Sequence, residues 1–210
     1  MEIKMAYIDK KQMSVKKESI AREVLQWAVT IIGALAIAMF IRSYAFAVTE
    51  VRQSSMQDTL VEGQKLVEYK AGYSSPARGD VIVFNLNGKG NGMLEKYVSE
   101  WKGLFETLKG VQNQDHLIKR VIGLPGDTVD IKDGAVYVND TRLEESYVKG
   151  ITLPKTVKLP LKVPEGKIFV LGDNREVSND SRYFGAIDIS KVEGKAIFRI
   201  WPVNEAGKLE

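Results

Sequence analysis

The 210-residue chain has no cysteine and a single histidine, His116. The first absence excludes thiol nucleophiles, disulfides and cysteine-ligated metals, and the second excludes a histidine-rich metal cluster. No metal or cofactor is expected. A hydrolase built from these residues needs a serine, threonine or carboxylate nucleophile, with either His116 or a base that is not histidine. Charge of one sign is also scarce, since 30 basic residues against 27 acidic ones leave +3. No basic stripe with interleaved aromatics occurs, so nucleic acid is not an expected partner. The length suits one well-buried domain plus an anchor.

Charge is wholly missing from residues 24–41, VLQWAVTIIGALAIAMFI. At 1.5 Å per residue this run reaches ~27 Å, close to the hydrocarbon thickness of a bilayer. Arg22 and Glu23 bound it on one side and Arg42 on the other, with Trp27 and Tyr44 near the interfaces. A buried core helix of this length shows a polar face, and this one has none. A cleaved secretory signal has a shorter apolar region, and no small-x-small site precedes Arg42; Ala45-Phe46-Ala47 lies beyond it. Lys4, Lys10, Lys11, Lys16, Lys17 and Arg22 precede the span, and only Arg42 and Arg52 follow it closely. The positive-inside rule then predicts a cytoplasmic segment over 1–23, a single-pass anchor over 24–41 in the cell membrane, and an extracytoplasmic domain over 45–210.

Beyond the anchor the pattern becomes short apolar runs punctuated by turns. Residues 80–84 (DVIVF), 116–122 (HLIKRVI), 167–171 (KIFVL) and 196–201 (AIFRIW) read as strands. Residues 128–131 and 135–139 flank Lys132-Asp133-Gly134, a hairpin signal. These runs predict a mainly β fold, an antiparallel, barrel-like domain. One segment breaks the rhythm: in residues 93–109, Leu94, Tyr97, Val98, Trp101, Leu104, Phe105 and Leu108 recur at helical spacing. An amphipathic helix inserted over 91–110 is expected, either a surface decoration or a lid that selects substrates. A Gly/Ser linker in place of 91–110 separates the two, since unchanged processing of every substrate leaves only decoration.

Peptide hydrolysis needs a deprotonated nucleophile, a base and donors for the oxyanion. A lysine can be that base only if desolvation lowers its pKa from ~10.4 to about 7–8. Lys119 lies inside an apolar strand, on the face that alternation gives to Leu117 and Val121. On these local grounds an edge-strand or half-exposed lysine is the favoured reading. Arg120 faces the other way and suits a structural ion pair. His116 is three residues from Lys119, on the opposite face, and is read as a bystander.

Five blocks in order resemble the type I signal peptidases. They are the apolar anchor, Ser55-Met56-Gln57-Asp58-Thr59-Leu60, Arg78-Gly79-Asp80-Val81, Lys119-Arg120-Val121-Ile122-Gly123-Leu124-Pro125-Gly126-Asp127, and Gly172-Asp173-Asn174-Arg175-Glu176-Val177-Ser178-Asn179-Asp180-Ser181-Arg182. The resemblance implies a membrane-bound serine endopeptidase that cleaves signal peptides from exported precursor proteins. It makes Ser55 the nucleophile, Lys119 its general base, and Ser178 the hydroxyl that bonds and orients the lysine amine. The Ser55 backbone N–H would be one oxyanion donor, and Gln53 stands where some relatives have an oxyanion-donating serine. Val51 and Ile118 would line shallow pockets for the small side chains before the cleavage site. Asp173, Asp180 and Arg182 would hold the last block by ion pairs and hydrogen bonds. Only the Ser-Met match separates Ser55 from Ser54.

The departure is Gln57-Asp58, where the family usually has a proline before Thr59-Leu60. Asp58 is expected to point to solvent, because an inward carboxylate would disfavour the oxyanion. This departure and the insertion suggest a specialised peptidase, with pilin-type subunits of surface polymers as candidate substrates. The main alternative is a non-catalytic or narrowly dedicated member that assembles such polymers, although Ser55 and Lys119 are both intact. A self-cleaving repressor of the SOS-response type shares the Ser–Lys site but not the anchor, and a membrane-anchored binding module would process no precursor.

Overall fold

The computed structural model describes residues 2–86 and 116–209, so the helix expected over 91–110 lies outside the described residues. The chain divides into two units, Met1–Ile41 and Arg42–Glu210. The first is helical. Helix α1 (Glu2–Tyr44) has 43 residues and contains the expected 24–41 run. Its Ile20–Tyr44 portion is long and apolar enough to cross a membrane. There Val24, Leu25, Trp27, Ile32 and Ile37 are all exposed, which suits lipid rather than a protein core.

The second unit is built from antiparallel sheets. Strands β1 (Phe46–Glu50), β2 (Lys65–Tyr69), β3 (Val81–Asn85) and β4 (His116–Gly123) come first in the chain. The hairpin β5 (Thr128–Lys132) and β6 (Ala135–Val138) follows, with β7 (Thr141–Arg142) and β8 (Leu161–Lys162). The chain closes through β9 (Lys167–Leu171), helix α2 (Ser181–Phe184), β10 (Ile187–Asp188), β11 (Val192–Trp201) and β12 (Gly207–Lys208). The larger sheet runs β1-β2-β11-β3-β4-β9-β10, with β12 on β11, and the smaller runs β7-β6-β5-β8. The architecture is thus two antiparallel sheets, and the barrel-like description is too loose.

Three apolar clusters fill the unit. Ile122, Val129, Val136, Val163 and Phe169 join the two sheets, while Ile82, Phe84, Val121, Ile168 and Val170 pack beneath the larger one. The third cluster holds Val51, Met56, Leu60, Leu66, Val81 and Ala196, with Ile118 against it. Alternation on β4 explains the division, since Val121 enters the second cluster and Ile118 the third.

Strands β1 and β2 have no counterpart among the runs expected from sequence. For β2 the reason lies in Glu68, which is 1 % exposed where alternation calls for an apolar residue. Its Oε2 accepts a hydrogen bond from Thr49 Oγ1 at 3.1 Å, while Oε1 has no partner. A side chain at Gly194 on β11 would meet that Oε1 at 2.9 Å and the Tyr69 carbonyl at 2.5 Å, so only glycine leaves the carboxyl room. Burial pushes the Glu68 pKa up to about 7, with Glu193 adding to the rise and Lys70, Thr49 and His116 opposing it.

A carboxyl that holds its proton more tightly when folded stabilises fully below its unfolded pKa, and the contribution is lost as pH rises through its folded value. For a rise from 4.5 to about 7 the loss is on the order of 3 kcal/mol, complete above about pH 7. Glu68→Gln cannot ionise. The full-length variant in detergent should unfold at a temperature several degrees above the parent at pH 8 and close to it at pH 5. Equal differences at both pH values in a thermal melt would contradict a buried, protonated Glu68.

Candidate active site

Ser55 lies in a three-residue 3-10 turn, Ser54–Met56, where the chain leaves β1 and folds against β4. Met56 is 1 % exposed and anchors the turn in the third apolar cluster. That anchor sends the neighbouring Ser55 side chain inward, 7 % exposed, while Ser54 is exposed. The structure thus separates the two serines that spacing alone left equivalent.

Lys119 is 1 % exposed on β4, opposite Ile82 of β3. Its Nζ donates to Ser55 Oγ at 2.8 Å and to the Ile118 carbonyl at 3.0 Å. Burial lowers its pKa from 10.5 to about 8, and the carboxylates of Asp180 and Asp173 limit the fall. A side chain that would be fully cationic in water is thus poised to lose its proton beside a hydroxyl.

The turn is held in place from residues 172–174. The Asn174 backbone N–H donates to the Ser55 carbonyl at 3.0 Å, and its side-chain Nδ2 donates to the Ser54 carbonyl at 3.2 Å. Thr59 Oγ1 donates to Asp173 Oδ2 at 2.6 Å. Asp173 also takes a two-pronged bond from Arg120, at 3.0 and 2.8 Å, with both side chains buried. The arginine stacks over the Tyr147 ring at 3.9 Å. Arg120 is therefore an ion-pair partner, fixed one residue from Lys119. Asp180 caps α2 through the Arg182 N–H and pairs with the Arg182 guanidinium at 2.8 Å. Arg175, which the sequence did not single out, is buried against Glu145 at 2.6 Å and Thr152 at 2.6 Å.

Other expectations fare differently. Ser178 is buried, but among the described residues its Oγ has no hydrogen-bond partner, so the expected bond to the Lys119 amine is not formed in this structure. The amine is instead turned to Ser55 and to its own strand. Val51 is buried and Ile118 half-buried, in one apolar cluster with Met56, and Gln53 is exposed. Asp58 points outward at 77 % side-chain exposure and meets Lys149 Nζ at 2.9 Å. His116 faces Glu193 at 3.1 Å, which raises its pKa, and takes no part in the Ser55–Lys119 contact.

Gly172 was legible only as part of a motif, yet the geometry depends on it. A side chain there would meet the Ser55 carbonyl at 2.5 Å and overlap Ser178 Oγ. Gly172→Ala should therefore push the Ser54–Met56 turn off Lys119 and cost about 2 kcal/mol of stability, the usual scale of overpacking. A thermal melt of the full-length variant checks this, and an unchanged melting temperature would mean that the backbone yields freely here.

Comparison with known proteins gives the family of the chain. A family model described as signal peptidase, peptidase S26, matches residues 24–201. A probable signal peptidase I-2 of Synechocystis sp. is 36 % identical over 203 residues, or 95 % of this chain and 84 % of that protein. Signal peptidase I of Bacillus licheniformis is 35 % identical over 198 residues, or 89 % and 94 %. A solved signal peptidase I from Enterococcus faecalis V583 is 32 % identical, with 58 % of this chain and 96 % of that one covered at a TM-score of 0.40. With a family model spanning most of its length and relatives well above 30 % identity over nearly all of it, the chain belongs to the signal peptidase family, peptidase S26.

Proposed function

We propose that this serine endopeptidase removes signal peptides from exported precursor proteins with Ser55 as nucleophile and Lys119 as general base. The observation that carries the reading is the 2.8 Å contact between a buried lysine amine and a buried serine hydroxyl. A neutral amine has one lone pair and two N–H groups. With the lone pair turned to the Ser55 hydroxyl, Lys119 takes the proton as Oγ attacks the scissile carbonyl, and returns it to the leaving amine. One N–H continues to serve the Ile118 carbonyl. The other suits Ser178 Oγ, an unpartnered buried acceptor that crowds the same glycine as the Ser55 carbonyl. Water then hydrolyses the acyl-enzyme, with Lys119 again as base.

The Ser55 backbone N–H serves as one oxyanion donor, and the exposed Gln53 amide is available as a second. Val51 and Ile118 receive the small side chains before the cleavage site. Among the described residues, the outer edge of β1 and the half of β4 before Arg120 each carry one unpaired side. An extended substrate backbone can add there as a strand. The proposed topology is a cytoplasmic segment over 1–23, a single-pass anchor over 24–41 and an extracytoplasmic catalytic domain over 45–210. The charge asymmetry around the span supports that orientation. Pilin-type substrates, and a non-catalytic role in polymer assembly, are favoured by no observation.

Ser55→Ala should lose activity by about 10⁴-fold or more while melting like the parent. Full activity in Ser55→Ala, or loss in Ser54→Ala alone, would show that the wrong serine was chosen. Lys119→Arg should be as inactive as Lys119→Ala, because a guanidinium does not give up its proton. In the parent, kcat should rise with pH to a plateau above about 8, the pKa of the buried amine, and fall about tenfold per unit well below it. Ser178→Ala should be a milder defect, since it removes orientation and leaves the base. A pH-independent kcat between 6 and 9 would remove Lys119 as the base.

A further inference from the structure

One charged contact beside the nucleophile has no part in the chemistry above. Between Ser55 and Thr59, both tied to residues 172–174, lies Asp58, and its carboxylate accepts from Lys149 Nζ at 2.9 Å across 91 residues of sequence. Lys149 is not a loose surface lysine. Its backbone N–H donates to the Asp173 carbonyl and its carbonyl accepts from the Arg175 N–H, each at 2.9 Å, which pairs it in parallel with Asn174. Asn174 is the residue that grips the carbonyls of Ser55 and Ser54. The amine of Lys149 therefore leaves from a backbone fixed to the same residue that fixes the nucleophile, and returns to the turn three residues beyond it.

The rest of that segment is equally committed. Glu145 and Thr152 hold the buried Arg175, and Tyr147 lies over Arg120. Gly150, at φ 80°, lets the chain pass close to Glu176, where a side chain would meet Cγ at 2.7 Å. Residues 145–152 thus form a strap along the Gly172–Arg175 block. Lys149 supplies the strap's charged contact to the nucleophile turn.

We propose that the Asp58–Lys149 ion pair is a positioning device for Ser55, closing a ring of contacts that runs from Ser55 through Asn174 and Lys149 to Asp58 and back. The proposal rests on the assignment of Ser55 and Lys119 as the reacting pair. With side chains 77 % and 44 % exposed, the pair contributes little to global stability. Its effect falls on turnover instead, because proton transfer from Ser55 to Lys119 tolerates little displacement of the turn.

The test uses the full-length enzyme in detergent with a signal-peptide-bearing precursor, comparing Asp58→Asn, Lys149→Met, the exchanged pair Asp58→Lys/Lys149→Asp, and Ser55→Ala. Each single variant should lower kcat about 3- to 10-fold with KM nearly unchanged, and the exchanged pair should recover most of the loss. Raising NaCl from 0.05 to 1 M, roughly a fivefold shortening of the screening length, should bring the parent's kcat towards that of the single variants and leave theirs unchanged. Unchanged kcat in both single variants, with Ser55→Ala inactive, overturns the pair alone. So does a loss confined to KM, which would make the pair a substrate contact, or a failure of the exchanged pair to recover in an enzyme that melts like the parent. Full activity in Ser55→Ala overturns the site assignment and the pair with it.

Discussion

The site depends on keeping one ammonium group out of water. Lys119 is 1 % exposed, and burial lowers its pKa from 10.5 to about 8. At neutral pH the fold therefore bears a cost on the order of 3 kcal/mol for this side chain. The apolar contacts of β3, β4 and β9 meet that cost, and it explains why so much fixed charge surrounds the amine. Arg120–Asp173, Arg182–Asp180 and Arg175–Glu145 are all buried pairs. Such pairs add little net stability, because desolvation offsets their attraction, but breaking one is expensive. Their value here is positional. Two of their carboxylates also act on Lys119 and keep its pKa from falling further.

Strand β4 carries three consecutive residues with three separate tasks. Ile118 faces the cluster of Val51 and Met56, Lys119 reaches Ser55, and Arg120 clamps Asp173. Because neighbouring side chains in a strand point to opposite faces, a slip of one residue would exchange Lys119 for Ile118 or Arg120. Register is set by five consecutive pairs between β3 and β4, from Val81 opposite Arg120 to Asn85 opposite His116. Val81 and Ile82 are both buried, so either slip would leave apolar surface unmatched. The same packing that makes β3 a core strand therefore holds Lys119 against Ser55.

What sequence made legible follows from how local each signal is. The apolar helix, the β5–β6 hairpin, β4 and β9 all have periodicity or turn chemistry within a dozen residues, and each was readable. Strand β2 was not, because buried Glu68 breaks the alternation that marks a strand. The pairing of Glu145 with Arg175 spans 30 residues and that of Asp58 with Lys149 spans 91, so no local pattern reports either. Ser55 was separable from Ser54 only through its motif, until Met56 was seen to anchor the turn. Lys119 is the instructive residue. A charge inside an apolar strand reads more readily as an edge or half-exposed position, and only the burial of Lys119 itself, 1 % exposed, decides the matter.

Glu68 and Lys119 show that the β domain carries two ionisable groups of opposite sign, both driven by desolvation towards their neutral forms. Between 4.5 and about 7 the unfolded Glu68 has lost its proton while the folded one keeps it, so this group makes stability fall with rising pH. Between about 8 and 10.5 the unfolded Lys119 keeps its proton while the folded one has lost it, so that group makes stability rise. Taken together, these two groups put their least favourable contribution between about pH 7 and 8. That is also the window in which the Lys119 amine loses its proton. In the proposed mechanism, the base is thus gained at the pH where these two buried groups stabilise the fold least. The cost is inherent, since a lysine that ionised freely would favour folding and could not deprotonate a serine.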